Sequence, residues 1–144
     1  MIETDILIVG AGPAGLAAAI ALKRGAKKNG DAQAPRVIVL DKGRSVGSHV
    51  LSGAIIDPSG FDGLLTKEEI EKLPVEAKVV KESFRTLLCR SWSMKVPWVP
   101  TMMSSKKYPV ASLTKVVRYL AEIAEKEGVE IYTGYAVTDL VEKD

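Results

Sequence analysis

No segment restricts the possible folds of this chain more than Ile6-Leu7-Ile8-Val9-Gly10-Ala11-Gly12-Pro13-Ala14-Gly15-Leu16. Ile6 to Val9 are continuously aliphatic, as expected of a strand buried on both faces of a parallel sheet. The chain then reads Gly-x-Gly-x-x-Gly and runs into an alanine-rich stretch that puts Leu16, Ala19 and Ile20 on one helical stripe. A glycine string of this kind is weak evidence in isolation. Between a strand and a helix it predicts a dinucleotide-binding turn, in which each residue has a steric duty. Gly10 permits the tight turn, Gly12 leaves no Cβ where a pyrophosphate approaches the backbone, and Gly15 lets the helix lie close to the strand. Pro13 and Ala14 open the helix, where a missing N–H costs little and the remaining free N–H groups attract an anion.

The first helix is expected to run to about Arg24. The polar stretch from Gly25 to Pro35 carries enough breakers to read as a loop. Val37 to Leu40 form a second buried strand ending at Asp41, which gives a strand, helix, strand unit with a right-handed crossover. A carboxylate at the end of the second strand accepts hydrogen bonds from the adenosine ribose and disfavours a 2′-phosphate, so Asp41 argues against NADP. The alternative for Asp41 is a plain surface residue at a strand end.

Composition excludes several classes. A net charge of +2, without a basic stripe interleaved with aromatics, gives no case for nucleic acid. The single cysteine, Cys89, rules out an internal disulfide and a cysteine-built metal centre within these 144 residues. No apolar run reaches the roughly 18 residues that cross a bilayer. The first strand begins close to Met1, so neither a signal nor a transit peptide is expected, and the expected location is the cytoplasm.

After Asp41 comes an apolar, glycine-rich stretch with glycines at 43, 47, 53 and 60, of the kind that wraps a ligand beside a nucleotide site. Thr66-Lys67-Glu68-Glu69 is a capping box opening a short helix that Pro74 ends. Ala77 to Met94 predicts two or three antiparallel strands of a second layer, with Cys89 a small buried hydrophobe. Pro97 and Pro100 bar the next segment from a central strand. Ser112 caps a last helix whose apolar face is Leu113, Val116, Val117, Leu120, Ile123 and Ala124, with Gly128 at its end. Val129 to Tyr132 predict a third parallel strand, and Ala136 to Val141 the start of another. The expected fold class is therefore α/β, a Rossmann-like parallel sheet with an antiparallel β excursion between its second and third strands. Residues 1–48 hold the first βαβ unit, 49–111 the excursion, and 112–144 the return helix and third strand.

The stretch beyond Asp41 carries a more specific likeness. His49-Val50-Leu51-Ser52-Gly53-Ala54, followed by Asp57-Pro58 and Phe61, resembles the electron-transfer flavoprotein–ubiquinone oxidoreductase family. The Gly-Ala-Gly-Pro-Ala-Gly-Leu turn looks like FAD-dependent members of the glutathione-reductase-like fold. Val96-Pro97, Val99-Pro100, Tyr108, Ser112-Leu113 and Gly128 to Ala136 continue the match in order, over nearly the whole chain.

That resemblance implies FAD and, in the full-length family member only, a [4Fe–4S] cluster. It also implies electron flow from reduced electron-transfer flavoprotein to ubiquinone at a membrane surface, so a peripheral position on the inner face of the cell membrane is expected. Gly10, Gly12 and Gly15, with Pro13 and Ala14, would hold the pyrophosphate, and Asp41 and Lys42 would lie at the ribose. Gly47, His49, Leu51, Ser52 and Gly53 would lie along the flavin end, His49 through a hydrogen bond that shapes the loop. No residue is assigned a catalytic or metal-binding role. The family's cluster cysteines and its second flavin-contacting segment lie further downstream, so the chain reads as an N-terminal fragment. Rival readings are a geranylgeranyl-reductase-like or FixC-like flavoprotein and a non-catalytic truncated nucleotide-binding module. Trp92, Trp98, Met102 and Met103, with Arg90 and Lys95 beside them, form either an interfacial apolar surface or core strands of the second layer.

Overall fold

A computed structural model describes residues 2–30, 34–51, 53–98 and 103–141. The chain runs β1 (Ile6–Val9), α1 (Pro13–Asn29), β2 (Val37–Asp41), β3 (Ala54–Ile55), a 3₁₀ turn (Pro58–Phe61), α2 (Lys67–Glu71), β4 (Val75–Lys78), β5 (Arg85–Cys89), β6 (Trp92–Lys95), β7 (Pro109–Ala111), α3 (Leu113–Lys126) and β8 (Glu130–Thr133). β1, β2 and β8 form a parallel sheet in the order β1-β2-β8, with Ile6 opposite Val37 and Ile38 opposite Glu130. The excursion between β2 and β8 holds an antiparallel sheet in the order β3-β7-β4 and a separate β5-β6 hairpin. This is the α/β architecture expected, with the antiparallel excursion in its expected position.

The core lies between one face of the parallel sheet and helices α1 and α3. Leu16, Ala19 and Ile20 of α1 meet Val116, Val117, Leu120 and Ala124 of α3 over Val37 and Val39. Each such large aliphatic side chain, removed from water, contributes about 1.5–3 kcal/mol. The opposite sheet face is open at β1, while Ile38 of β2 on that side is buried. Leu7 and Val9 are 43% and 61% exposed, so β1 is covered on one face only, contrary to the expectation of two. The alternation of β1, with Ile6 and Ile8 inward, is the pattern of a half-covered strand.

Three further expectations are corrected. Helix α1 does not stop at Arg24 but continues to Asn29 and closes on Gly30, whose φ of +71° makes it a left-handed C-cap. Gly25 faces open space there, and the stripe of Leu16, Ala19, Ile20 and Lys23 extends to buried Ala26. A single helical glycine costs only about 1 kcal/mol, which one more buried turn offsets. Cys89 is exposed rather than buried, because β5 and β6 pair with each other away from the core. Trp92, Trp98 and Met103 are likewise exposed and not core residues, while Met102 falls outside the described residues. Finally, residues 136–141 form no strand and pair with none of the strands among the described residues.

Arg24 ties three parts of the chain together. Its guanidinium donates to both carboxylate oxygens of Glu69 (2.6 and 3.0 Å), to Glu127 Oε1 (2.9 Å) and to the Leu64 carbonyl (2.6 Å). Glu69 also closes the expected capping box, accepting from the Thr66 N–H while Thr66 Oγ1 accepts from the Glu69 N–H. Hydrogen bonding to Arg24 above all, helped by the Thr66 amide, holds the Glu69 carboxyl down at about 2.

Candidate functional site

The glycine turn lies at the C-terminal tip of β1. Gly10 adopts φ +106°, a conformation a side chain would strain, and its N–H donates to the Leu40 carbonyl at 2.7 Å. Gly12 is the N-cap of α1, in extended backbone, and a Cβ added there would meet nothing within 4 Å. Pro13 sits at the start of the helix, Ala14 is exposed, and the first turn of α1 holds no acidic residue. The N–H groups of that first turn and the positive end of its dipole are therefore left without a capping side chain or an acidic residue of the helix itself. Gly15 is different. A Cβ there would overlap the Gly10 carbonyl oxygen and lie 3.3 Å from Ile8 Cγ2, so this glycine sets how closely α1 lies on β1.

Asp41 joins the turn to the loop after β2. Its Oδ2 accepts from the Ala11 N–H at 2.8 Å and its Oδ1 from the Gly43 N–H at 2.7 Å. Each oxygen keeps a further lone pair, but the carboxylate is already a strut between two backbone segments. Gly43 is buried, and a Cβ on it would come 2.8 Å from Asp41 Oδ1 and 3.3 Å from His49 Nδ1. The sequence reading places Gly43 only within the glycine-rich stretch, and nothing in it marks the Ala11 amide as a partner of Asp41.

The remaining expected positions are spread along the following loop. Lys42, His49 and Leu51 are exposed, Leu51 by 88%. Gly47 has φ +80° and backs onto Thr114 at the start of α3, where a Cβ would lie 3.2 Å from Thr114 Cγ2. Arg118 of α3 donates to the Val46 carbonyl at 3.3 Å, so the helix fixes this part of the loop. Gly53 has φ +88° and faces open space, and Ser52 lies outside the described residues. Asp57 and Tyr108, far apart in sequence, are partners: the tyrosine hydroxyl donates to Asp57 Oδ2 at 3.2 Å. That carboxylate also accepts from Ser59, whose side chain and amide hold it below its ordinary pKa, and the negative charge pushes Tyr108 up.

Beside the turn is a cavity of about 230 Å³ lined by Val9, Gly10, Leu40, Asp41, Lys42 and residues 135–137. The chain leaving β8 forms its far wall: Gly134 N–H donates to the Gly43 carbonyl and Tyr135 N–H to the Asp41 carbonyl. An apolar groove of about 340 Å³ adjoins this cavity through Leu40 and Tyr135, on the other face of the sheet between Ile2, Leu7, Ile38 and Tyr132. Among the described residues no group of three His, Cys, Asp or Glu is placed to hold a metal ion, and no helix is long and apolar enough to cross a membrane. Bare glycine backbone, an uncapped helix start and an apolar slot beside a strand-end carboxylate are suited to a diphosphate with a nucleoside attached.

Residues 8–72 match the family described as NAD(P)-binding Rossmann-like domain. Over 142 residues the chain is 39% identical to the mitochondrial electron transfer flavoprotein-ubiquinone oxidoreductase of Dictyostelium discoideum, covering 99% of this chain and 23% of that protein. The mitochondrial protein of the same name from Oryza sativa subsp. japonica is 40% identical over 95% of this chain and 23% of its own length. That of Pseudomonas aeruginosa is 39% identical over 95% of this chain and 25% of its own. The chain thus spans about a quarter of the relatives it matches. Among solved structures, a geranylgeranyl bacteriochlorophyll reductase-like protein from Thermoplasma acidophilum superposes with a TM-score of 0.58 at 18% identity, over 98% of this chain and 32% of that one. The tetrameric form of 2-methyl-3-hydroxypyridine-5-carboxylic acid oxygenase gives 0.57 at 19% identity, over 90% and 31%. These two likenesses concern the fold.

Proposed function

We infer, for a chain related over nearly its whole length to the electron transfer flavoprotein-ubiquinone oxidoreductases, that it is the part of such an oxidoreductase that holds the adenosine diphosphate half of FAD. The observation that carries this reading is Gly12: bare backbone at the tip of β1, at the start of a helix without an acidic or capping side chain, with nothing within 4 Å of where a Cβ would stand. The site residues fit the group. Gly10, Gly12 and the first turn of α1 would face the diphosphate, and Asp41 would offer its spare lone pairs to the ribose. The 230 Å³ cavity would take the adenosine end, and the loop through Gly47, His49, Leu51, Ser52 and Gly53 would run toward the flavin. FAD supplies the chemistry, because a flavin accepts and releases electrons singly; the chain binds, orients and shields it. In the whole protein the electrons would pass from reduced electron-transfer flavoprotein to ubiquinone at a membrane surface, with a [4Fe–4S] cluster held by residues outside this chain.

The test is made on the full-length protein as its gene encodes it. It should purify yellow and release FAD on denaturation. Gly12→Val should leave the fold intact and remove the flavin, since the side chain would fill the space meant for the diphosphate. A colourless protein that ignores FAD and binds NADH, or a Gly12→Val protein with normal flavin content, would overturn the reading.

A further inference from the structure

We propose that β7 and the first turns of α3 are a mould for the flavin-end loop, with Thr114 and Arg118 as the residues that position it. The proposal rests on the reading above that this loop runs toward the flavin. Residues 46–57 lie antiparallel along residues 108–118, partner after partner. At one end the Tyr108 hydroxyl donates to Asp57 Oδ2, and the Ile56 N–H donates to the Pro109 carbonyl at 2.9 Å. Ile55 and Ala54 then face Val110 and Ala111 in the β3-β7 ladder. At the other end Thr114 Oγ1 donates to the Val50 carbonyl over a long 3.5 Å, and Arg118 Nε donates to the Val46 carbonyl at 3.3 Å. Gly47 permits the close approach there, because a Cβ would lie 3.2 Å from Thr114 Cγ2 and 3.3 Å from the Thr114 carbonyl oxygen.

The two ends are held by different means. β7 is the middle strand of its sheet, with β4 paired on its other edge and Pro109 and Ala111 buried, so residues 54–56 are fixed by a ladder. Residues 46–50 form turns and have no ladder. Val46 and Val50 pack against the core and keep the loop down, but apolar contact is not directional. What aims the loop is the pair of side chains on its carbonyls. Both belong to α3, which Val116, Val117 and Leu120 immobilise in the core, so the loop inherits the position of a rigid helix. Leu51, 88% exposed, follows directly on Val50, and a displacement at Val50 passes straight to a residue expected at the flavin end. A bound group of this kind needs its contacts placed to within about 0.5 Å, which residues behind the contacting ones secure.

The test compares FAD with ADP, which reaches only the glycine turn and the cavity beside it, on the full-length protein. Arg118→Met and Thr114→Ala should each weaken FAD binding about fivefold, the worth of one net hydrogen bond, and leave ADP affinity unchanged. Both should alter the visible circular dichroism of the bound flavin. Thr114→Ala changes no charge, so a matching effect there sets aside the lost cation of Arg118, and Arg118→Lys, which keeps a donor, should restore binding. Tyr108→Phe acts beyond the ladder and should change neither affinity. In the protein stripped of flavin, amide exchange in the peptide spanning 45–51 should quicken about two- to tenfold in Arg118→Met and Thr114→Ala. A parent that binds neither FAD nor ADP would overturn the reading above and this proposal with it. A parent that binds FAD, with Arg118→Met and Thr114→Ala binding it equally well or losing ADP in the same proportion, would overturn the proposal alone.

Discussion

Gly12 and Gly15, three residues apart in the same motif, should respond to alanine in opposite ways. At Gly15 a Cβ would overlap the Gly10 carbonyl oxygen and crowd Ile8 Cγ2 at 3.3 Å, and both obstacles belong to β1 and its turn, which cannot swing aside. The helix must retreat by roughly 1 Å, a gap that forfeits a quarter to a half of each dispersion contact along its packed face. That face includes Leu16, Ala19 and Ile20, all fully buried. Overpacking of this kind costs about 1–3 kcal/mol, and a rigid backbone obstacle argues for the upper end. The helical preference of alanine over glycine returns about 1 kcal/mol, leaving a net loss near 2 kcal/mol. For a domain of this size that is a fall in Tm of about 8 °C. Gly12→Ala meets nothing, so its Tm without cofactor should stay within about 1 °C of the parent. Differential scanning fluorimetry of both variants, stripped of flavin, gives the comparison. A Gly15→Ala protein as stable as the parent, or a larger loss at Gly12, would refute the account of which glycine serves the fold and which the ligand.

Other perturbations have equally definite outcomes. Glu69 sits at about 2 in the folded protein against an ordinary 4.5, so its contribution is complete above about pH 4.5 and is lost as pH falls toward 2. The linkage is worth on the order of 2 kcal/mol, and urea midpoints measured across that range should decline in the parent and flatten in Glu69→Gln. Asp41→Asn replaces two acceptor oxygens by one and sets an N–H₂ against a backbone N–H. It should cost about 1–3 kcal/mol of stability in chemical denaturation and weaken FAD binding as well, read by flavin fluorescence titration. Leu120→Ala, at the meeting of α1 and α3, should lose about 2–5 kcal/mol in the same denaturation assay and leave the flavin stoichiometry of the remaining folded protein unchanged.

Much of the molecule was legible because its signals are local. The aliphatic run of β1, the glycines after it, the Thr66–Glu69 box and the heptad-like face of α3 each specify an element within a few residues, and each formed where expected. The errors arose where distant partners decide. Gly25 and its polar neighbours look like a loop until Ala26 is seen buried and Lys27 paired with Glu127, a residue 100 positions away. Leu7 and Val9 look like core because aliphatic character does not reveal whether a second face is covered. Cys89 looked buried for the same reason, although β5 stands apart from the core. Asp41 was legible as a site residue but not as a strut, since its two amide donors lie on separate turns that only the folded chain brings together.

The crossing of residues 134 and 135 over the ends of β2 has a thermodynamic corollary. Hydrogen bonds from Gly134 to Gly43 and from Tyr135 to Asp41 make the wall of the cavity beside the glycine turn from chain some ninety positions beyond it. A molecule bound there clasps the first and last thirds of the sequence at once, so it discriminates sharply between folded and unfolded chains. Saturation at a hundred times its dissociation constant would raise the unfolding free energy by about 2.7 kcal/mol. Cofactor supply during synthesis would then govern how much of the protein survives, independently of how fast it turns over.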